Sequence, residues 1–302
     1  MGENFFSDIL LPITLAIITL GMGLAIEAKD FAGIFRNPKS IITGLLIQML
    51  LLPFIAFAIT YFINIDPVYK VGLIVIAACP GGATSNLVNF MLNGNVALSL
   101  SITIINSLLT LISIPLIVRA GLDFYLGDDA VIRLPFAETI YSIFLIVAIP
   151  AAIGITIRHY FREFAIGLEK PLRYILPVLL FIVYSGVLFI DKGAKTLHLM
   201  DYVNLYPYGI LLNVLSMLGG WYVAKLVGIK RRNQFTISVE TGLHNSTLAI
   251  FIAATLLSSQ HMAVVPIIYG SFSFFTTWGL GYLLKRFSRK ESAEKGVTAD
   301  RL

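Results

Sequence analysis

Apolar stretches of bilayer length recur along this chain, and they leave few folds open to it. Nine are read, at roughly 9–26, 39–63, 70–92, 96–118, 135–157, 172–190, 203–225, 232–257 and 263–284. Each lies near the ~20 residues that carry a helix across a bilayer. Apolar residues are 57% of the 302 and charged residues only 13%, about half the charge of an ordinary soluble domain. Backbone groups inside hydrocarbon must be paired within the protein, so the expected class is an all-α polytopic membrane protein. The single cysteine, Cys79, excludes an intrachain disulfide. No Cys/His cluster suggests a metal site. Met1 to Asp8 holds no Lys or Arg, and no small-residue cleavage site follows. The start is therefore not read as a cleavable signal peptide.

Loop charges alternate along the chain. Lys29, Arg36 and Lys39 fall in one loop, Arg158, Arg162, Lys170 and Arg173 in another, and Lys225, Lys230, Arg231 and Arg232 in a third. The tail adds Lys285, Arg286, Arg289, Lys290, Lys295 and Arg301, so 17 of the 22 basic residues share one side. The opposite loops hold Lys70, Arg119, Arg133, Lys192 and Lys195 among Asp66, Asp123, Asp128, Asp129, Asp191 and Asp201. By the positive-inside rule the N-terminus is expected outside and the C-terminus in the cytoplasm. The tail after Leu284 is polar and expected to be disordered.

Two of the apolar stretches are interrupted. The third contains Cys79-Pro80-Gly81-Gly82-Ala83-Thr84-Ser85-Asn86, and the eighth contains Glu240-Thr241-Gly242-Leu243-His244-Asn245-Ser246. Pro80 lacks an amide hydrogen and disfavours helix before it. Gly81, Gly82 and Gly242 permit unwound backbone and close crossing. Glu240 is the one acidic side chain well inside an apolar stretch, where a charge is costly unless it serves a pathway or ligand. With nine segments, the two broken ones run antiparallel and stand five steps apart, as an inverted repeat of five-helix units requires. The second half is then complete, and the first lacks its initial helix. If the breaks cross, Glu240 and the oxygens of Thr84, Ser85, Asn86, Asn245 and Ser246 gather in one volume. Small hard cations prefer oxygen sites of this kind.

Blander readings stand beside these. Pro80 with its glycines alone equals a kink in a packed helix. Gln48 alone is interhelical glue. Ser99 and Thr103 can hydrogen-bond back to their own helix. His244 can be a satisfied core histidine. Glu240 has no mid-segment Lys or Arg to pair with, which favours a cation or proton site.

The run from Cys79 to Asn86, then Gly94-Asn95-Val96-Ala97-Leu98-Ser99, resembles the bile acid:sodium symporter family. So do Gly21-Met22-Gly23-Leu24 with Asp30-Phe31, and Val239 to Ser246. The likeness spans nearly the whole chain. It implies a panel domain (1–36 and 135–192), a core domain (37–134 and 193–284) and a cytoplasmic tail (285–302) in a bacterial inner membrane. It implies two sodium sites behind the crossover. The first would use Ser85, Asn86, Ser99, Thr103 and Glu240. The second would use Gln48, Glu240, the backbone of Thr241 and Leu243, and His244. Pro80, Gly81, Gly82 and Gly242 would form the crossover backbone. Substrate is expected against Ala83, Thr84, Asn245 and Thr277.

Two positions depart from that pattern. The family commonly has Gln where this chain has His244. Imidazole nitrogen is a poorer sodium ligand than an amide oxygen and titrates near neutral pH, so the second site is either altered or replaced by proton coupling. Thr276-Thr277 stand where relatives often place His-Asn, which suggests a different substrate. The function implied is sodium-coupled symport of an organic anion, with sodium the only coupling ligand and no cofactor, enzyme activity, nucleic acid or protein partner. The alternatives are a proton-linked or efflux carrier of the same fold group and an intramembrane hydrolase using Ser85 and His244, though no Gly-x-Ser-x-Gly elbow is present.

Overall fold

The computed structural model describes residues 4–27, 38–127, 136–190 and 199–294. Lys29, Asp30, Phe31, Arg36, Asp128, Asp129, Arg133, Asp191, Lys192, Lys195, Lys295 and Arg301 lie outside the described residues. The rest is helical, with no strand among the described residues and one isolated antiparallel bridge, between Gly81 and His244.

In chain order the helices are α1 (Leu11–Leu24), α2 (Pro38–Leu46), α3 (Leu52–Phe62), α4 (Pro67–Ala78), α5 (Ala83–Met91), α6 (Val96–Leu126) and α7 (Phe136–Ile143). They continue with α8 (Ile149–Tyr160), α9 (Arg162–Phe189), α10 (Leu199–Leu226), α11 (Arg231–Gly242), α12 (Ser246–Ile250) and α13 (Gln260–Glu294). Widened turns join some of these into longer rods. Phe6–Leu10, Ile47–Leu51 and Phe144–Ala148 each close two residues before a proline: Pro12, Pro53 and Pro150. Proline cannot donate to the preceding turn and its ring crowds the carbonyl there. Widening that turn relieves the clash without ending the helix.

Among the described residues, six helices are long and apolar enough to cross a membrane: Phe6–Leu24, Pro38–Phe62, Val96–Leu126, Ala137–Tyr160, Val203–Leu226 and Gln260–Arg286. Pro67–Ala78, Tyr174–Val187 and Ser246–Leu256 are shorter apolar helices. Stretches 70–92 and 232–257 do not form single helices, because each is broken at its glycines. The 12 residues of α4 reach only ~18 Å, about half a bilayer. The polar tail also departs from expectation, since α13 runs on to Glu294. Lys, Arg, Glu and Ala are good helix formers, and extending a formed helix costs little once nucleation is done.

Three elements, α1, α8 and α9, pack on one another. α1 and α8 cross tightly at Gly23 and Gly154, where a Cβ would stand 2.3 Å from the Ala151 and Leu20 carbonyl oxygens respectively. Small residues at a crossing let helices touch without a hydrophobic driving force. A second group, α6, α10 and α13, packs on the two broken helices, α4 with α5 and α11 with α12. Within it, Val71 to Ala78 of α4 and Asn233 to Gly242 of α11 are all buried. The outward faces carry Leu50, Phe54 and Phe181, exposed by 65–73%, as suits surfaces whose solvent is lipid.

Candidate functional site

The two breaks arise from local sequence and then pair with each other. Cys79 precedes a proline and is extended (φ −78°, ψ 146°), so α4 stops at Ala78. Gly82 is extended as well (φ −119°, ψ −179°), and α5 begins at Ala83. On the other strand of the crossing, Leu243 is extended (φ −119°, ψ 115°). Asn245 restarts the helix by capping it, its Oδ1 accepting from the Leu248 amide at 3.0 Å. The Asn245 amide donates to the Pro80 carbonyl at 2.8 Å, beside the Gly81–His244 bridge. Unwound backbone at this depth is thus partly satisfied by its counterpart.

Behind the crossing, α5, α6 and α11 converge on Glu240, which is fully buried. Ser99 donates to its Oε1, and Thr103 donates to its Oε2 at 3.1 Å. The four-residue spacing of Ser99 and Thr103 places both on one face of α6. Thr103 also bonds back to the Ser99 carbonyl at 3.0 Å, so the bland reading of this residue is partly right. Ser99 in turn lies 2.7 Å from Asn86 Oδ1 and accepts from Asn89 Nδ2 at 3.0 Å. Ser85 donates to the Gly82 carbonyl at 2.7 Å. A Cβ on Gly81 would stand 2.6 Å from Glu240 Oε2, 3.5 Å from Ser85 Oγ and 3.6 Å from Gln48 Nε2. Glycine is what lets the crossover backbone approach the carboxylate. No Lys or Arg pairs with Glu240 among the described residues. This is a carboxylate with hydroxyl and amide oxygens around it and no cationic side chain, a donor set suited to a small hard cation.

The residues of the expected second site are near one another but otherwise engaged. Gln48 Nε2 donates to the Glu240 carbonyl at 3.0 Å, and its Oε1 accepts from Asn106 Nδ2 at 2.7 Å. Thr241 spends its hydroxyl on the carbonyls of Ser216, Ile237 and Ser238 at 2.9–3.1 Å. Leu243 is buried in the crossover. His244 is 4% exposed, and neither ring nitrogen has a hydrogen-bond partner. Its ring lies tilted over Tyr269, centroids 5.5 Å apart.

On the other side of the crossing lies a cavity of about 370 Å³. Gly82, Thr84, His244 and Asn245 border it, opposite Ile18 and Met22 of α1 and Leu172, Leu176 and Tyr184 of α9. No Lys or Arg is among its described lining residues. Nothing is described of the Ala83 side chain. Thr277 is not among the residues that line this cavity. It accepts from Asn213 Nδ2 at 2.9 Å and lies 3.4 Å from the Gly242 carbonyl. Gly270, Ser273 and Phe274 are the residues of α13 that face the cavity, at the spacing of one helix face. The hydrolase reading also lacks its geometry, since Ser85 bonds Gly82 and no hydrogen bond joins it to His244.

Several polar residues at the crossing were not singled out from sequence. Asn106 follows Ser99 and Thr103 at helical spacing and was legible as one polar stripe on α6. Asn89 lies one turn beyond Asn86. Asn213 and Tyr269 gave no local signal. They meet only in space, where Asn213 Nδ2 and Tyr269 OH donate to the Gly242 carbonyl at 2.6 and 2.7 Å.

The chain matches the Sodium Bile acid symporter family over residues 12–199. It is 29% identical over 254 residues to the probable sodium/metabolite cotransporter BASS1, chloroplastic, of Arabidopsis thaliana, covering 82% of this chain and 59% of that relative's length. It is 27% identical over 292 residues to the uncharacterized sodium-dependent transporter YocS of Bacillus subtilis, with 94% of this chain and 86% of the relative covered. The human ileal sodium/bile acid cotransporter is 26% identical over 307 residues, with 97% and 86% covered.

Proposed function

The chain belongs to the sodium bile acid symporter family, whose members are transporters rather than enzymes, and we propose that it carries an organic anion into the cell with sodium, by alternating access. The observation that carries this reading is Glu240: fully buried, held by the hydroxyls of Ser99 and Thr103, and without a Lys or Arg partner among the described residues. An ionised carboxylate taken out of water costs several kcal/mol unless a counter-charge is near. Sodium beside Ser85, Asn86, Ser99, Thr103 and Glu240 would supply that charge and hold the crossover in one shape.

The rest of the scheme follows. Nine spans are proposed: the six long helices, the apolar part of α9, and two broken spans formed by α4 with α5 and α11 with α12. The inverted-repeat arrangement is retained, with the N-terminus outside and the C-terminus in the cytoplasm, in the bacterial inner membrane. Segments 1, 5 and 6 form the panel and the others the core. This division is supported by the packing of α1, α8 and α9 on one another and by the cavity between α1, α9 and the crossover. Substrate would lie in that cavity against Thr84 and Asn245. The cavity has no Lys or Arg among its described lining residues, so the anion would be met by hydroxyls, by the first turn of α5 and by the sodium behind the crossover. Its apolar wall at Ile18, Met22 and the α9 leucines favours a cargo with a hydrocarbon body. Rocking of the core against the panel would expose it alternately to the two sides.

The deciding experiment compares thermal stability of the purified protein in sodium and in choline at equal ionic strength. A ligand that binds the folded state raises its stability by mass action. Sodium is expected to raise the melting temperature of wild type and not of Glu240→Gln. No sodium effect anywhere between about pH 5 and 8, with a pH-dependent shift lost in His244→Gln, would replace this reading by a proton-linked carrier.

A further inference from the structure

We propose that this chain binds one sodium ion per transport cycle rather than two, because Gln48, Asn106 and His244 close the place of the second. The inference rests on the sodium-coupled reading above. It comes from comparing the two oxygen sets around Glu240. At the carboxylate end, Ser99 and Thr103 direct hydroxyl groups at Oε1 and Oε2. Those hydroxyls can turn their hydrogens elsewhere and offer lone pairs to a cation instead. At the carbonyl end, the oxygens already accept amide hydrogens. The Glu240 carbonyl accepts from Gln48 Nε2 at 3.0 Å, and Gln48 Oε1 accepts from Asn106 Nδ2 at 2.7 Å. An amide nitrogen, not an oxygen, is presented to the carbonyl that a second sodium would need.

The Gln48–Asn106 pair could in principle turn over together. Asn106 Oδ1 has no hydrogen-bond partner, so rotating both amides would let it accept from Gln48. Gln48 Oε1 would then face the Glu240 carbonyl, oxygen to oxygen. Only a cation between them would compensate that repulsion, and the cation would need a full shell of hard oxygens. The remaining side-chain position is an imidazole. Its nitrogens suit zinc, copper or nickel better than sodium. The ring sits against the carbonyls of Cys79 and Thr241, filling space there without offering an oxygen. The site therefore lacks its last side-chain oxygen donor, and the turned-over amide pair has nothing to hold it.

The test is equilibrium binding of radiolabelled sodium to the purified full chain, with sodium alone as the probe. Wild type is expected to saturate at about one ion per protein, with a Hill coefficient of about 1. Glu240→Gln should lose that ion. His244→Gln restores an amide oxygen, and it should raise the count to about two with a steeper sodium dependence. A wild-type count of two overturns the inference and leaves the sodium-coupled reading standing. No saturable binding at all overturns both. A correctly folded His244→Gln that stays at one ion overturns the assignment of His244 as the residue that closes the site. Should that variant fail to fold, the wild-type count decides.

Discussion

Two half-helices enter the crossing, and they are built from opposite materials. In α4 the buried run Val71–Ala78 is entirely apolar or glycine. In α11 the buried run Asn233–Gly242 includes Asn233, Gln234, Thr236, Ser238, Glu240 and Thr241. Neither arrangement follows from a hydrophobic drive, since lipid is as apolar as leucine. The apolar half is held by close packing: Gly72 lies where a Cβ would stand 2.8 Å from the Met262 carbonyl. The polar half is held by hydrogen bonds along its length. Asn233 donates to Ser40 at 2.9 Å, Thr236 accepts from the Asn95 amide at 2.7 Å, and Ser238 donates to the Met217 carbonyl at 2.8 Å. A chain of directed bonds fixes where Glu240 stands, and a smooth apolar rod opposite it brings only backbone to the site. One half supplies chemistry and the other supplies room.

That division can be broken from either side. The largest effect is expected on the polar half. Glu240→Gln removes the only carboxylate, and losing a charge-assisted contact worth about 3 kcal/mol weakens sodium binding about 10²-fold. In choline the same variant should melt no lower than wild type, because it no longer buries a charge. Sodium titrations and melting curves read both. Next comes the room provided at the apolar half's break. Gly81→Ala puts a methyl 2.6 Å from Glu240 Oε2, and overpacking of about 1–3 kcal/mol should cost tenfold or more in sodium affinity. Gly82→Ala, whose nearest neighbour is Thr84 Oγ1 at 3.6 Å, should cost far less. Equal losses in the two would mean that backbone freedom, not proximity to the carboxylate, is what glycine provides.

A third effect concerns the support behind the crossing. Asn213→Ala removes one donor to the Gly242 carbonyl and the partner of Thr276 and Thr277. It should lower stability by about 1–3 kcal/mol with little change in sodium affinity, as Gly242 is not among the expected ligands. The smallest effect is expected within the apolar rod. Ile76→Val should cost ~1 kcal/mol of stability and leave sodium affinity unchanged. A sodium effect as large as that of Gly81→Ala would show that the rod does more than fill space.

Much of the site could be read along the chain because its residues announce themselves locally. Pro80 with Gly81 and Gly82 breaks one helix wherever it is placed. Glu240 is conspicuous in an apolar stretch at any depth. Ser99 and Thr103 share a helix face by spacing alone. Asn213 and Tyr269 carry no such signal. An asparagine and a tyrosine inside an apolar helix are ordinary, and only their meeting at the Gly242 carbonyl distinguishes them. Thr277 shows the opposite case. Its position on the last helix was legible but its facing was not, because rotation of a helix about its axis is set by neighbours and not by its own residues.

The sequence by itself determined the helical membrane class, the two interruptions and the presence of one carboxylate at the second. These follow from short-range constraints: the span of a bilayer, the missing amide of proline and the cost of a buried charge. Only the tertiary structure decided what each polar group spends its hydrogen bonds on. Gln48 could serve a cation or a carbonyl with equal ease as far as its own helix is concerned. The Glu240 carbonyl and Asn106, 192 and 58 residues away, settle it, since a hydrogen bond is directional and reaches only what packing brings within about 3 Å.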